Sequence, residues 1–282
     1  MLAWMALICA SESQEFIDDE GMAAEFEKKL SLIAERERGW IMAEAKTVAQ
    51  RKNGFRISLP DESPGQDAAN SKNLYERVAP AVVAIGTVYR CAECRKWHQD
   101  GFSSGWILSP EGLVVTNAHV FDGATSDVPG VLTRDGQVYA IEEMVVMDPA
   151  ADVAIFRIQA EGKKFPFLRI AEEASVGEEV HVVSHPQGRL WCFTSGRISR
   201  FHLQRYDEDK KPTEWMSVTA DFAGGSSGGP VLNASGEVVG MVSSTLTAYS
   251  EASNCKNHPD PEVQMVFKDC VPLNVLRAML EN

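Results

Sequence analysis

The sequence predicts an all-β protein with one helix before its strands and a short helix after them. Beyond residue 72, short apolar runs alternate with turns rich in Gly, Pro, Asn and Asp, which is the pattern of β-strands. About twelve such runs fill this part of the chain with little helix between them, enough for two antiparallel barrels or sandwiches. The predicted strands are residues 81–88, 105–108, 113–116, 131–133, 145–146, 153–158, 180–183, 196–199, 215–219, 231–232, 238–244 and 263–267.

The two predicted helices are both amphipathic. From residue 18 to about residue 53, apolar residues recur at three- and four-residue steps among many charges and without proline. This apolar stripe would pack either on the following domain or on a copy of itself, and the second arrangement would make a homo-oligomer. Residues 272–280 begin with a proline and are apolar on one face, which predicts a short closing helix. The stripe of the first helix comprises Phe26, Leu30, Ile33, Trp40, Ile41, Ala45 and Val48.

A linker separates the first helix from the strands. Residues 59–67 hold two prolines, a glycine and several acids, a composition typical of a linker. We therefore predict an apolar N-terminal segment over 1–17, a helix with linker over 18–72, and a strand-rich domain over 73–282. The strand-rich domain is expected to fold without residues 1–55.

Amino-acid composition and the N-terminal run indicate the class of partner and the compartment. The 282 residues are 44% hydrophobic and 24% charged, as in an ordinary globular protein, and 40 acids against 27 bases give a net charge of −13. No Lys/Arg cluster is interleaved with aromatics, so no nucleic-acid partner is expected. Residues 1–17 start with an apolar run too short to span a bilayer. It resembles the end of a secretory signal without the usual basic start, which favours a periplasmic or secreted protein over the alternative, a buried apolar terminus.

Two groups of cysteine and histidine are spaced like halves of a zinc site. Cys91 and Cys94 are separated by two residues and His98 follows closely, and Cys255 and His258 form a second half-site. Nothing in the sequence brings the two segments together. A Cys91–Cys94 disulfide, or free thiols in a loop, is therefore favoured over zinc, and we expect no metal and no cofactor.

Ser227 lies among clustered glycines, within residues 220–232. Glycines on both sides of a serine allow positive φ angles and bring successive N–H groups towards one point, the geometry that binds an oxyanion. Ser227 is therefore a candidate nucleophile, with the backbone of Gly225, Ser226 and Ser227 as the candidate oxyanion hole. A flexible Gly/Ser turn before a strand is the alternative.

A nucleophilic serine needs a base, and the base needs a carboxylate to orient it. His119 ends one predicted apolar strand and Asp152 begins another, so a core-forming segment would hold each side chain in place. Taken singly, they have ordinary interpretations as a turn histidine and a strand-start cap. Together with Ser227 they form a candidate catalytic triad.

Three motifs that carry these residues, 104–120, 152–154 and 225–230, resemble the trypsin-like serine proteases of the HtrA/Deg branch, in that family's order of His, Asp and Ser. The likeness runs from about Asn73 to the end of the chain and covers no PDZ domain. It implies two six-stranded antiparallel β-barrels with the active site between them. His119 and Asp152 would come from the first barrel and Ser227 from the second.

The resemblance also implies a function. It favours a serine endopeptidase that acts on proteins or peptides, with amides of Gly225 and Ser227 stabilising the tetrahedral intermediate. A catalytically silent binding scaffold and an esterase with the same triad are the alternatives. In this family the residue six before the nucleophile, here Asp221, lies near the base of the specificity pocket, where a carboxylate would favour Lys or Arg. Asp221 bonded to backbone amides is the alternative; Ser243 and Thr245 are further pocket candidates.

Overall fold

A computed structural model of the chain describes residues 16–36, 47, 73–123, 127–205, 211–250 and 262–281. Residues 1–15 of the predicted N-terminal segment, the linker at 59–67, and the Cys255 and His258 half-site lie outside the described residues. So does most of the first predicted helix beyond residue 36.

The first barrel contains six antiparallel strands and closes in the order β1-β2-β3-β6-β5-β4. Its inner face is apolar: Val114 and Phe156 are fully buried, and Phe156 packs edge-to-face on Phe121 with ring centroids 5.6 Å apart. This core fixes the ends of the strands from which the candidate site residues project. The strands are β1 (Val82–Arg90), β2 (Trp97–Ile107), β3 (Leu113–Thr116), β4 (Val128–Leu132), β5 (Val138–Asp148) and β6 (Val153–Ile158).

The second barrel also has six antiparallel strands and closes in the order β10-β11-β12-β9-β8-β7. Val182, Met216 and Val231 are fully buried in its interior. The predicted fold of two six-stranded barrels is thus confirmed. The strands are β7 (Glu179–Ser184), β8 (Cys192–Gln204), β9 (Thr213–Val218), β10 (Pro230–Leu232), β11 (Val238–Tyr249) and β12 (Val263–Pro272).

Three α-helices accompany the barrels among the residues that the structure describes. The first, α1 (Asp19–Arg36), and the last, α3 (Leu273–Glu281), agree with the sequence prediction. Between them, α2 (Leu74–Val78) begins at Asn73, whose side chain accepts a hydrogen bond from the Tyr75 amide at 3.1 Å. In the described part of the chain, no helix combines the length and the apolar character needed to cross a membrane.

Helix α1 packs on the first barrel, one of the two arrangements predicted for its apolar stripe. Phe26 and Leu30 are fully buried. Two glycines make room for them: a Cβ on Gly86 of β1 would lie 2.7 Å from the Phe26 ring, and a Cβ on Gly130 of β4 would lie 2.7 Å from a Leu30 methyl. Removing α1 would expose this apolar surface to water, which argues against the expectation that residues 1–55 are dispensable. Self-association through α1 stays a prediction.

Candidate active site

His119 and Asp152 lie side by side because their strands are neighbours. His119 is in the 3-10 turn after β3, Asp152 directly precedes β6, and Thr116 pairs with Ala154 across the two strands. The His119 Nδ1–H donates to Asp152 Oδ1 at 2.9 Å and lies 3.1 Å from Oδ2. The His119 amide donates to the same carboxylate at 3.2 Å. In the neutral ring this arrangement leaves Nε2 unprotonated and able to accept a proton.

Ser243 of β11 connects this pair to the second barrel. Its hydroxyl donates to Asp152 Oδ2 at 2.7 Å, and its carbonyl oxygen accepts a hydrogen bond from the Ser227 hydroxyl at 3.1 Å. Ser243 is buried. Sequence analysis assigned Ser243 to the substrate pocket, but its hydroxyl is directed at the Asp152 carboxylate, which it helps to orient. This single residue brings together the side chains predicted as nucleophile and as carboxylate.

The orientation of the Ser227 hydroxyl is set by Ser243. It donates to the Ser243 carbonyl, and among the described residues no hydrogen bond joins it to His119. Such bonds are often long or unformed in proteins without substrate. A rotation about the Cα–Cβ bond of Ser227 redirects the hydroxyl without moving the backbone.

The loop before Ser227 leaves two amides free. Gly225 has a φ of +92°, and a Cβ there would lie 2.5 Å from the His185 carbonyl oxygen, so only glycine fits. The Ser226 amide donates to the Ala223 carbonyl at 2.9 Å and is unavailable to a ligand. The amides of Gly225 and Ser227 donate to none of the described residues. Of the three predicted members of the oxyanion hole, these two keep a free donor.

Ser104 of β2 fastens the Ser227 loop to the first barrel, a role that sequence analysis missed. It is fully buried; its hydroxyl donates to the Gly225 carbonyl at 2.8 Å and accepts from the His185 amide at 3.0 Å. Its amide donates to the Ser227 carbonyl at 2.8 Å. The only signal in the sequence was a small polar residue within an apolar strand motif.

His185 is unsuited to act as the base. Burial lowers its pKa to about 3, so its ring is neutral and a very weak base at neutral pH. Its Nδ1 accepts a hydrogen bond from the Trp191 amide at 3.0 Å, and the two rings pack edge-to-face. His185 therefore supports the contact between barrels.

Asp221 does not lie on the floor of a buried pocket. Its side chain is 85% exposed and forms an ion pair with Lys268 of β12, with Nζ 2.8 Å from Oδ1. The Lys268 side chain is only 15% exposed. Thr245, the other pocket candidate, is exposed on β11 and pairs with Lys268 across the sheet. A carboxylate already paired with a lysine offers little to a basic substrate side chain, so the geometry gives no support to an acidic floor.

An open cleft of about 730 Å³ leads to the Gly225 backbone. Helix α1 forms one wall of this cleft, opposite the turn that follows His185. Sequence analysis gave α1 no part in the site, because no local pattern shows which surface a helix covers. The lining residues are Asp19, Glu20, Ala23, Gln99, Gly101, Phe102, Gln187, Gly188, Arg189, Gly224 and Gly225.

The carboxylates around His119 raise its pKa and so determine the pH dependence expected of any reaction in which His119 is the base. Its pKa is raised above 6.5, first by the hydrogen bond with Asp152 and, more weakly, by the charge of Asp122. Only the neutral ring accepts a proton, so activity rises with pH through this raised pKa. We expect the acidic limb of kcat/KM above the ordinary histidine value. Asp122→Asn should move the limb to lower pH and leave the plateau unchanged.

Asp152→Asn provides the contrasting result for this pH profile. It removes the main cause of the raised pKa and the acceptor for Nδ1–H, so the plateau should fall by about 10⁴-fold. A profile of the unmodified protein with its acidic limb at or below pH 6.5, measured on a peptide substrate, contradicts the raised pKa of His119. A profile with no acidic limb contradicts His119 as the base.

Comparison with known proteins relates the chain to the trypsin-like peptidases. A family model for the trypsin-like peptidase domain matches residues 103–241. The chain is 36% identical over 146 residues to a protein named putative serine protease HhoA from Synechocystis, covering 50% of this chain and 36% of that protein. It is 32% identical over 200 residues to mitochondrial serine protease HTRA2 of Bos taurus, covering 68% and 42%.

A third relative is named for its compartment. The chain is 33% identical over 145 residues to a probable periplasmic serine endoprotease, DegP-like, from Chlamydia trachomatis, covering 49% of this chain and 27% of that protein. The match thus spans less than half the length of each of these three relatives.

Proposed function

Because the chain carries a trypsin-like peptidase domain related to the HtrA and DegP serine proteases, we propose that it is a serine endopeptidase with Ser227, His119 and Asp152 as its catalytic triad. Ser243 carries the proposal, since it contacts both Ser227 and Asp152. The alternative, a flexible Gly/Ser turn before a strand, does not predict a residue that contacts both side chains.

The proposed reaction begins with attack of Ser227 Oγ on the carbonyl carbon of the substrate peptide bond. His119 Nε2 accepts the hydroxyl proton as the bond forms, and Asp152 stabilises the resulting imidazolium through Nδ1–H. The negative charge on the substrate oxygen is bound by the free amides of Gly225 and Ser227. His119 then gives its proton to the leaving amine, and water repeats the sequence on the acyl-enzyme.

The open shape of the cleft favours a polypeptide substrate. It reaches from the Gly225 backbone to α1 and has room for several residues of an extended chain. Relatives named as endoproteases support the same class of substrate, and the periplasmic relative supports a periplasmic or secreted location for this protein. We propose no nucleic-acid partner and no cofactor for this reaction.

A fluorophosphonate probe tests the assignment of the nucleophile, because it labels only an activated serine. We expect one label per chain, mapped by peptide sequencing to Ser227, and cleavage of peptide as well as ester substrates. Ser235→Ala, at an exposed serine in the turn after β10, is the matched control and should label normally. Absence of labelling in folded protein contradicts the enzyme and favours the binding scaffold. Labelling with ester cleavage alone indicates an esterase.

A further inference from the structure

The tip of the β1–β2 hairpin brings together three side chains that ligate metals. Cys91, Cys94 and His98 each place a ligand atom within 4.8 Å of the other two. The Cys94 sulfur lies 3.0 Å from His98 Nε2. All three belong to one short segment, so no other part of the chain is needed to assemble them.

The backbone of the hairpin holds this cluster in place. The Cys91 amide donates to the Lys96 carbonyl at 2.9 Å, and the Arg95 amide donates to the Cys91 carbonyl at 3.0 Å, with Arg95 at a φ of +58°. Pairing of β1 with β2 continues at Tyr89 and His98. The turn therefore places the His98 imidazole beside the two thiols with which the sequence analysis grouped it.

We propose that Cys91, Cys94 and His98 bind a zinc ion, whose fourth position is open to water. Ligand atoms of a tetrahedral zinc site lie ~3.5–3.8 Å apart, given Zn–S of about 2.3 Å and Zn–N of about 2.0 Å. The ligand atoms of the cluster lie within 4.8 Å of one another, so separations must change by up to about 1.3 Å to reach this spacing. Binding releases the two thiol protons, and two thiolates with a neutral imidazole balance the charge of Zn²⁺.

The third ligand favours zinc over the disulfide or free thiols predicted from the sequence. Both cysteines are free, and His98 places a third ligand atom beside them, which a disulfide would not use. Zinc would also link the two strands of the β1–β2 hairpin at its tip. Helix α1 contacts the same hairpin: the Trp97 indole donates to Glu35 at 3.0 Å and the Gln99 amide donates to Glu27 at 2.9 Å. The proposed site lies on this hairpin, and the proposal does not depend on the proposed catalytic function.

Cobalt(II) provides the spectroscopic test. Full-length protein, reduced and freed of metal, is titrated with Co²⁺ and the bound ion is then displaced with Zn²⁺. We expect one Co²⁺ per chain, visible d–d bands of tetrahedral cobalt, and a near-ultraviolet thiolate charge-transfer band. Cys91→Ser and Cys94→Ser should each weaken binding at least about 100-fold, since even residues that only support a ligand contribute ~10–100-fold. His98→Ala should weaken binding while keeping the thiolate band.

Cys192→Ser is the matched control, because Cys192 is a free, partly buried cysteine in another strand. It should bind one Co²⁺ with an unchanged spectrum. Cys94 is exposed, so its replacement keeps the test valid even where Cys91→Ser fails to fold. The proposal is overturned if the reduced protein gives no thiolate–cobalt band. It is equally overturned if Cys94→Ser binds as tightly as the unmodified protein.

Discussion

Replacing Ser227 with alanine is expected to lower peptide hydrolysis by about 10⁴-fold or more, because the substitution removes the atom that attacks the substrate. The fold should change little: the hydroxyl makes one hydrogen bond, to the Ser243 carbonyl, worth about 1 kcal/mol. The measurement is kcat/KM on a peptide substrate, together with chemical denaturation of the same sample.

The control for this variant is Ser235→Ala, which should match the unmodified protein in both measurements because Ser235 is exposed in the turn between β10 and β11. The assignment fails if purified Ser227→Ala keeps more than about a thousandth of the activity. An inactive variant that is also unfolded would assign a structural role to the hydroxyl, contrary to its single hydrogen bond.

The sequence predicted the parts of the molecule that depend on local pattern. Apolar runs located the barrel strands, and glycines around Ser227 predicted a loop of positive φ, as found at Gly225 and Gly228. Strand β8 (Cys192–Gln204) was predicted only over 196–199, because it lies largely exposed and therefore has polar residues where a buried strand has apolar ones.

Features that depend on pairing between distant segments could not be predicted in this way. Lys268 of β12 forms an ion pair with Asp221, a pairing between distant segments that gives no support to an acidic specificity pocket. Ser243 was predicted only as a pocket candidate, and its contact with Asp152 depends on how β11 packs beside the first barrel, which no local pattern shows. Likewise, the contribution of α1 to the cleft follows from the burial of Phe26 and Leu30 on the barrel.

Gly228→Ala is expected to disrupt the contact between the barrels that positions Ser227. Gly228 has a φ of +85°, and a Cβ there would lie 2.1 Å from both the Ser104 carbonyl oxygen and Thr116 Oγ1. The left-handed conformation costs an alanine about 1–2 kcal/mol, and the forced separation adds about 1–3 kcal/mol. We expect a loss of roughly 2–5 kcal/mol in the free energy of unfolding.

Gly177→Ala separates these two contributions. Gly177 has a φ of +88°, nearly that of Gly228, but a Cβ there would meet nothing within 4 Å. It should therefore lose only the conformational part, about 1–2 kcal/mol, and keep its reactivity towards the fluorophosphonate probe. Gly228→Ala should lose that reactivity even where it stays folded. The Ser104 amide donates to the Ser227 carbonyl at 2.8 Å, so a shift of Ser104 also displaces Ser227. Equal destabilisation of the two variants, with labelling intact in both, would show that the close approach of the barrels at Gly228 does not position the nucleophile.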